Sequence, residues 1–449
     1  MKTTAIARSF LLVGTMLGSL TSVAVAGPDY TLMTTIAVPV SAANSQAGNF
    51  TAFDISYVDP LTGFDYVADR SNAAVDIING ATNTVVAQAG VGIFGGQQTS
   101  TAQSGPDGVV VVNNGTTATL FAGNGFTTTT PIPPKQPSST LLSFNVTTPT
   151  SPTFLNALST GGMNRVDEMS YSPSTNLLLV ANNAEPGPPT GVLPFATLVN
   201  ATTGAIVAPK IFIPNTPPPS AGGGLEQSVW DKNTGTFFVS VPAFNGAGNP
   251  GGVAEINTSG QVIASFDFGA LSGGAITSCS PTGIALGASG NLMVGCSATK
   301  SQTVLLNPTA NAGAGAIVKT FSGISGSDEL YYDPVTGDYF VTGDDATGAN
   351  RIFSIISDAT DTLLQTIALP DVNAHSISVD PLNGEVFVPL EGSVVGGAQD
   401  ALCPIGCIAV FANKVPVPEP GSLPILAFAL LGLGGASTWL RRHNTTHRT

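Results

Sequence analysis

One short unit recurs seven times along the chain, and a chain built that way has few folds open to it. Its clearest copy is Tyr332-Asp333-Pro334-Val335-Thr336-Gly337-Asp338-Tyr339-Phe340-Val341. An apolar strand leads in, Asp-Pro-x-Thr-Gly turns the chain, and a second strand leads out. Asp and Pro favour turns, and Gly supplies the left-handed backbone that closes them. The unit returns as Val379-Asp380-Pro381-Leu382-Asn383-Gly384 running to Val388, and as Val58-Asp59-Pro60-Leu61-Thr62-Gly63 running to Val67. Weaker copies run from Ser172 to Val180, Asp231 to Val239, Leu286 to Val294 and Asn113 to Phe121. From the aspartate, or the residue in its place, to the end of the unit the interval is always eight. The end points 67, 121, 180, 239, 294, 341 and 388 are 47 to 59 residues apart. A fixed interval inside variable spacing means conserved hairpins joined by variable loops.

A third β-rich segment ending in a polar residue follows each hairpin, at 74–79, 141–145, 195–200, 253–257, 303–307, 352–357 and 408–413. Six of these lead through a turn into a fourth, at 84–88, 153–158, 205–208, 261–266, 316–321 and 362–367. Four antiparallel strands in each roughly 45-residue unit make a β-propeller blade. The expected fold is therefore all-β, a seven-bladed propeller over residues 27–414. The seventh unit has no fourth strand of its own, but residues 31–38 before the first unit read like one. An open ring would leave two bare sheet edges, so the N-terminal strand is expected to close it, burying Leu32, Ile36 and Val38.

At Asp59-Pro60-Leu61-Thr62-Gly63-Phe64-Asp65-Tyr66-Val67 the sequence resembles YVTN-type propeller repeats. Pro281-Thr282-Gly283-Ile284-Ala285-Leu286 and Gly290-Asn291-Leu292-Met293-Val294 lean towards the related NHL repeat. Such propellers host enzymes, binding modules and scaffolds, so the repeat alone assigns no activity.

Both ends read as addresses. Residues 1–26 join Lys2 and Arg8, an apolar run from Phe10 to Leu20, and Ala24-Val25-Ala26, the order of a secretory signal. Residues 423–440 carry no charge and precede Arg441-Arg442, long enough for one membrane helix with a basic cytoplasmic tail at 441–449. In front stands a proline-rich stalk, 415–422, containing Pro418-Glu419-Pro420. Triplet, apolar span and terminal arginines together resemble the PEP-CTERM sorting signal of Gram-negative bacteria. That resemblance implies an exosortase-type enzyme as partner, cleavage near the triplet, and delivery to the cell surface or extracellular matrix. An uncleaved chain would stay membrane-anchored, facing the periplasm.

Between the two ends, 27 acids face nine bases, a net charge of −18. A domain so acidic repels nucleic acid and anionic lipid and attracts cations. Counting back five residues from each turn reaches the starting end of each first strand, where a propeller's channel opens. The ring found there is Asp54, Gly108, Asp167, Glu226, Pro281, Asp328 and His375, with Glu168, Gln227 and Glu329 one residue further in. Carboxylates converging from several strands suit Ca²⁺ or Mg²⁺, and an oriented His375 suits a general base. Asp54, Asp167, Glu226, Asp328 and His375 are the candidate metal ligands. Calcium-dependent lactonases of the regucalcin type and propeller lyases place ligands in this part of the channel. The same carboxylates also suit plain bonds to neighbouring blades, and His375 is common in such repeats.

Four cysteines in an exported chain read as two disulfides, Cys279 with Cys296 across one hairpin and Cys403 with Cys407 over a four-residue step. No haem-attachment motif, hydrolase nucleophile elbow or phosphate-cradling glycine loop occurs. The reading that follows is a binding or interaction module for a polysaccharide, a surface protein or a small molecule. The rival is a metal-dependent, lactonase-like hydrolase or lyase at the channel mouth.

Overall fold

The computed structural model of the 449-residue chain describes residues 27–125, 139–187, 191–217, 224–246, 248–297, 302–325, 328–348, 350–369, 374–392 and 402–414. The signal-like segment 1–26, the Pro418-Glu419-Pro420 triplet and the apolar span 423–440 lie outside them. No helix among the described residues is long and apolar enough to cross a membrane.

Seven four-stranded antiparallel sheets follow one another. Blade 1 runs through Phe53–Val58, Phe64–Asp69, Ala74–Asn79 and Thr84–Ala89; blade 6 runs through Leu330–Asp333, Asp338–Asp344, Arg351–Ser357 and Thr362–Ala368. Each predicted hairpin forms, because its turn is chemically specified. Asp59 accepts the Leu61 N–H at Oδ1 (3.1 Å) and the Thr62 hydroxyl at Oδ2 (2.6 Å), while its carbonyl accepts the Gly63 N–H at 2.9 Å. Asp333 and Asp380 repeat the arrangement with Gly337 and Gly384. Gly63 sits at φ +68° and Gly337 at φ +74°, a conformation that strains any residue with a Cβ. The motif thus satisfies the turn's own backbone donors instead of leaving them to water.

A sheet buried on both faces needs apolar residues on both, and the inner strands provide them. Seven apolar clusters fill the seven gaps between neighbouring blades. Tyr66, Ile77, Leu120 and Phe144 join blades 1 and 2, for example, and Phe340, Phe353, Val388 and Phe411 join blades 6 and 7. The fourth strands face solvent and are correspondingly exposed, as at Thr153–Ser159.

The ring closes as expected. Tyr30–Ile36 pairs antiparallel with Gly406–Asn413, in register from Tyr30 opposite Asn413 to Ile36 opposite Ile408. A bulge between Leu32 and Thr34 inserts Met33 as an unpaired residue, and Leu32 is 42% exposed, so of the expected apolar face only Ile36 and Val38 are buried, joined by Tyr30. The last gap holds Ile36, Val38, Phe50, Phe53, Val67, Phe387 and Ile408, residues from both ends of the propeller. Both expected disulfides are present, with Cα atoms 4.5 Å apart in Cys279–Cys296 and 5.5 Å apart in Cys403–Cys407.

Candidate functional site at the channel mouth

The first strands line a central channel, and the ring residues stand at its mouth. They do not form one compact cage. Asp54 and Asp107 close on Arg70 from two blades: Nη2 lies 2.6 Å from Asp54 Oδ2 and 2.5 Å from Asp107 Oδ1, and Nε donates to that same Asp107 oxygen at 2.9 Å. In blade 3, Arg165 Nη2 lies 2.8 Å from Asp167 Oδ2. Asn183 then donates to Asp167 Oδ2 (2.8 Å) and to Glu226 Oε2 (2.9 Å), tying blades 3 and 4 together. Asp167 and Glu226, two of the five expected ligands, are therefore held in a network of protein donors. Asp54, Asp328 and His375 do come together, each with one ligand atom within 4.8 Å of the others. The imidazole of His375 stacks on Phe53, centroids 4.3 Å apart and planes 6° from parallel, which fixes the ring's orientation.

Gly108 cannot carry a functional side chain at all. A Cβ there would meet the carbonyl oxygen of Asp167 at 2.3 Å, so the close approach of blades 2 and 3 demands glycine. The carboxylate of blade 2 comes from Asp107, one residue earlier.

Burial opposes charge throughout this network, and the arginines answer it. Asp107 is held well above the usual carboxylate range by burial, against the pull of Arg70 and Arg165. Glu226 is raised by burial and by the neighbouring charges of Asp167 and Asp328. Burial would lower Arg70, but Asp54 and Asp107 more than compensate and keep it fully charged. A polar cavity of about 410 Å³ opens at the mouth, lined by Asp54, Arg70, Arg165, Asp328 and His375, and its wall also includes Thr101, Ser297, Ser325 and the ion pair of Arg351 Nη1 with Asp344 Oδ1 (2.8 Å).

Arg70, Arg165 and Arg351 stand outside the repeat pattern, yet they are the only arginines in residues 27–418, and all three line this cavity. Rarity was the available signal: an acidic chain that uses lysine elsewhere places its few forked cations where planar, bidentate bonding matters.

One residue further in, two side chains clamp blades together. Glu329 Oε2 accepts the Ser56 N–H (3.0 Å) and the hydroxyls of Ser56 (3.2 Å) and Ser376 (2.5 Å), linking blades 6, 1 and 7. Gln227 Oε1 accepts the N–H groups of Ile284 (2.6 Å) and Leu330 (3.0 Å). Burial pushes Glu329 up to about 8 despite its donors, and pushes Asp65 up to about 7. Both values exceed those of the unfolded chain, so the folded state holds these protons more tightly. Their contribution to stability is full below about pH 4 and is lost as pH rises through about 7 to 8. The melting temperature should fall between pH 5 and pH 8.5, and Glu329→Gln should flatten that slope. A melting temperature that rises over this range would contradict the assignment.

No protein-family model matches the chain, and no curated protein matches it. Among solved structures it is similar to the WD40 β-propeller domain of Doa1, with a TM-score of 0.52 at 12% identity, covering 85% of this chain and 97% of that one. At that identity the likeness concerns the seven-bladed propeller fold alone.

Proposed function

We propose that this chain is an exported binding module, a YVTN/NHL-type propeller sorted by a PEP-CTERM tail to the surface or matrix of a Gram-negative cell. Its mouth would bind a polyhydroxylated ligand such as an extracellular polysaccharide. The fold fits an interaction module. The observation that carries the reading is an open polar cavity lined by three arginines, with Asp54 held by Arg70 and Asp344 held by Arg351 in its wall. Carboxylates and guanidinium groups held rigid in this way present paired acceptors and donors to hydroxyl groups at little entropic cost. The two disulfides suit an oxidising exterior. Export would pass through the exosortase-type enzyme, and mass spectrometry of surface material should find no peptide beyond about Ser422.

The test is saturable binding of the purified propeller to isolated matrix polysaccharide. Arg351→Gln should weaken it about tenfold, near 1.4 kcal/mol. Arg351 is partly exposed, so its loss leaves the deeper network standing. No saturable binding, or binding indifferent to Arg351, would defeat the proposal.

The close approach of Asp54, Asp328 and His375 favours one second reading, a Ca²⁺- or Mg²⁺-dependent hydrolase or lyase acting on lactones. Two carboxylates and an imidazole suit a divalent cation, although Asp54 already shares Oδ2 with Arg70. Metal analysis of the purified protein, followed by a screen of lactones and esters, decides it. Stoichiometric metal with chelator-sensitive turnover supports this reading, and metal-free protein without turnover removes it.

A further inference from the structure

The first strands run on from the mouth towards their hairpin turns, and there the channel changes character. A cavity of about 490 Å³ is lined by Tyr57, Tyr171, Trp230, Tyr331 and Tyr332, with Pro60, Pro173, Pro334 and Pro381 of the turns at its outer end. Its inner end is the layer of Glu168, Gln227 and Glu329, equivalent positions in blades 3, 4 and 6. Gln227 and Glu329 are spent on neighbouring blades, as described above. Glu168 is not. It is 3% exposed, and its Oε2 has no hydrogen-bond partner among the described residues.

A buried carboxyl group without a donor is costly, and a fold that only needed to fill this position would gain by a neutral or apolar residue. The Asp167–Arg165 pair beside it belongs to the mouth. We propose that this end of the channel is a binding site for a small organic cation, an amine carrying an apolar or aromatic group, with Glu168 as its counter-ion and the tyrosine and tryptophan faces as its walls. Aromatic faces carry negative quadrupoles and attract ammonium groups, most strongly out of water. The chain's acid excess adds to the attraction. The site lies beyond the mouth and stands or falls independently of the polysaccharide reading.

Calorimetric titration with phenethylamine near neutral pH, where the amine is charged, measures the binding. Saturable binding at one site is expected. Glu168→Gln is nearly isosteric and removes a buried acid, so the fold should keep its melting temperature while amine affinity drops about tenfold or more. Trp230→Phe should weaken binding as well, through the lost aromatic wall. The neutral counterpart 2-phenylethanol should bind about tenfold more weakly or worse. If it binds as well as the amine, or if Glu168→Gln binds the amine as the parent does, the proposal is overturned.

Discussion

A chain starting at Asn49 should aggregate, or melt far below one starting at Gly27. The lost segment supplies the outer strand of blade 7, six register pairs from Tyr30–Asn413 to Ile36–Ile408. At about 1 kcal/mol net for each ladder hydrogen bond, the pairing alone contributes several kcal/mol. Tyr30, Ile36 and Val38 are nearly or fully buried, and each is worth a further 1.5 kcal/mol or so. Tyr30 also meets Phe340 edge to face, with centroids 5.5 Å apart, and exchanges two hydrogen bonds with the side chain of Gln365, so blade 6 loosens as well. The total approaches the whole margin of an ordinary domain, about 5–15 kcal/mol. The bared edge of Gly406–Asn413 would then be open to pairing with other chains. Equal melting temperatures for the two chains would show that the strand does not close the ring.

Arg70→Ala should cost about 3–5 kcal/mol, because it leaves Asp54 and Asp107 facing each other, buried and without the guanidinium that both contact. Arg70→Lys should recover only part of this, since one ammonium cannot reproduce the forked contact with both carboxylates. The triple change Arg70→Met, Asp54→Asn, Asp107→Asn should cost far less than Arg70→Ala alone, because it removes the unpaired charge along with the pair. Chemical denaturation of the four proteins measures these differences. A loss below about 1 kcal/mol for Arg70→Ala would mean that the three groups are solvated and that the mouth is not a rigid network.

The repeats made the blades legible because every turn carries its own chemistry. Asp59, Asp333 and Asp380 each accept backbone donors two to four residues ahead, so the signal is local and survives in a single sequence. The closing strand was visible for a similar reason, as a β-pattern without a blade of its own. What the pattern could not show was the bulge between Leu32 and Thr34, where one extra residue, Met33, breaks the even spacing that would place Leu32 and Ile36 on one face. The mouth was half legible. Counting back a fixed interval from each turn found Asp54, Asp167, Glu226, Asp328 and His375, because the short backbone run into each first strand has the same length in every blade, even where the residue precedes the strand itself. It missed Arg70, which follows a second strand, and Arg165, which precedes a first one, because long side chains from connecting segments reach across blades and leave no periodic trace. Asp107 was missed by one position: the packing at Gly108 leaves no room for a side chain, and the carboxylate moved back along the chain.

Hydrogen exchange of the purified propeller with and without isolated matrix polysaccharide tests most directly the claim that the channel mouth is a binding face. Protection should concentrate on the segments carrying Asp54, Thr101, Asp344 and Arg351, and should fade in Arg351→Gln. Protection confined to outer strands such as Thr153–Ser159, or none at saturating polysaccharide, would contradict it.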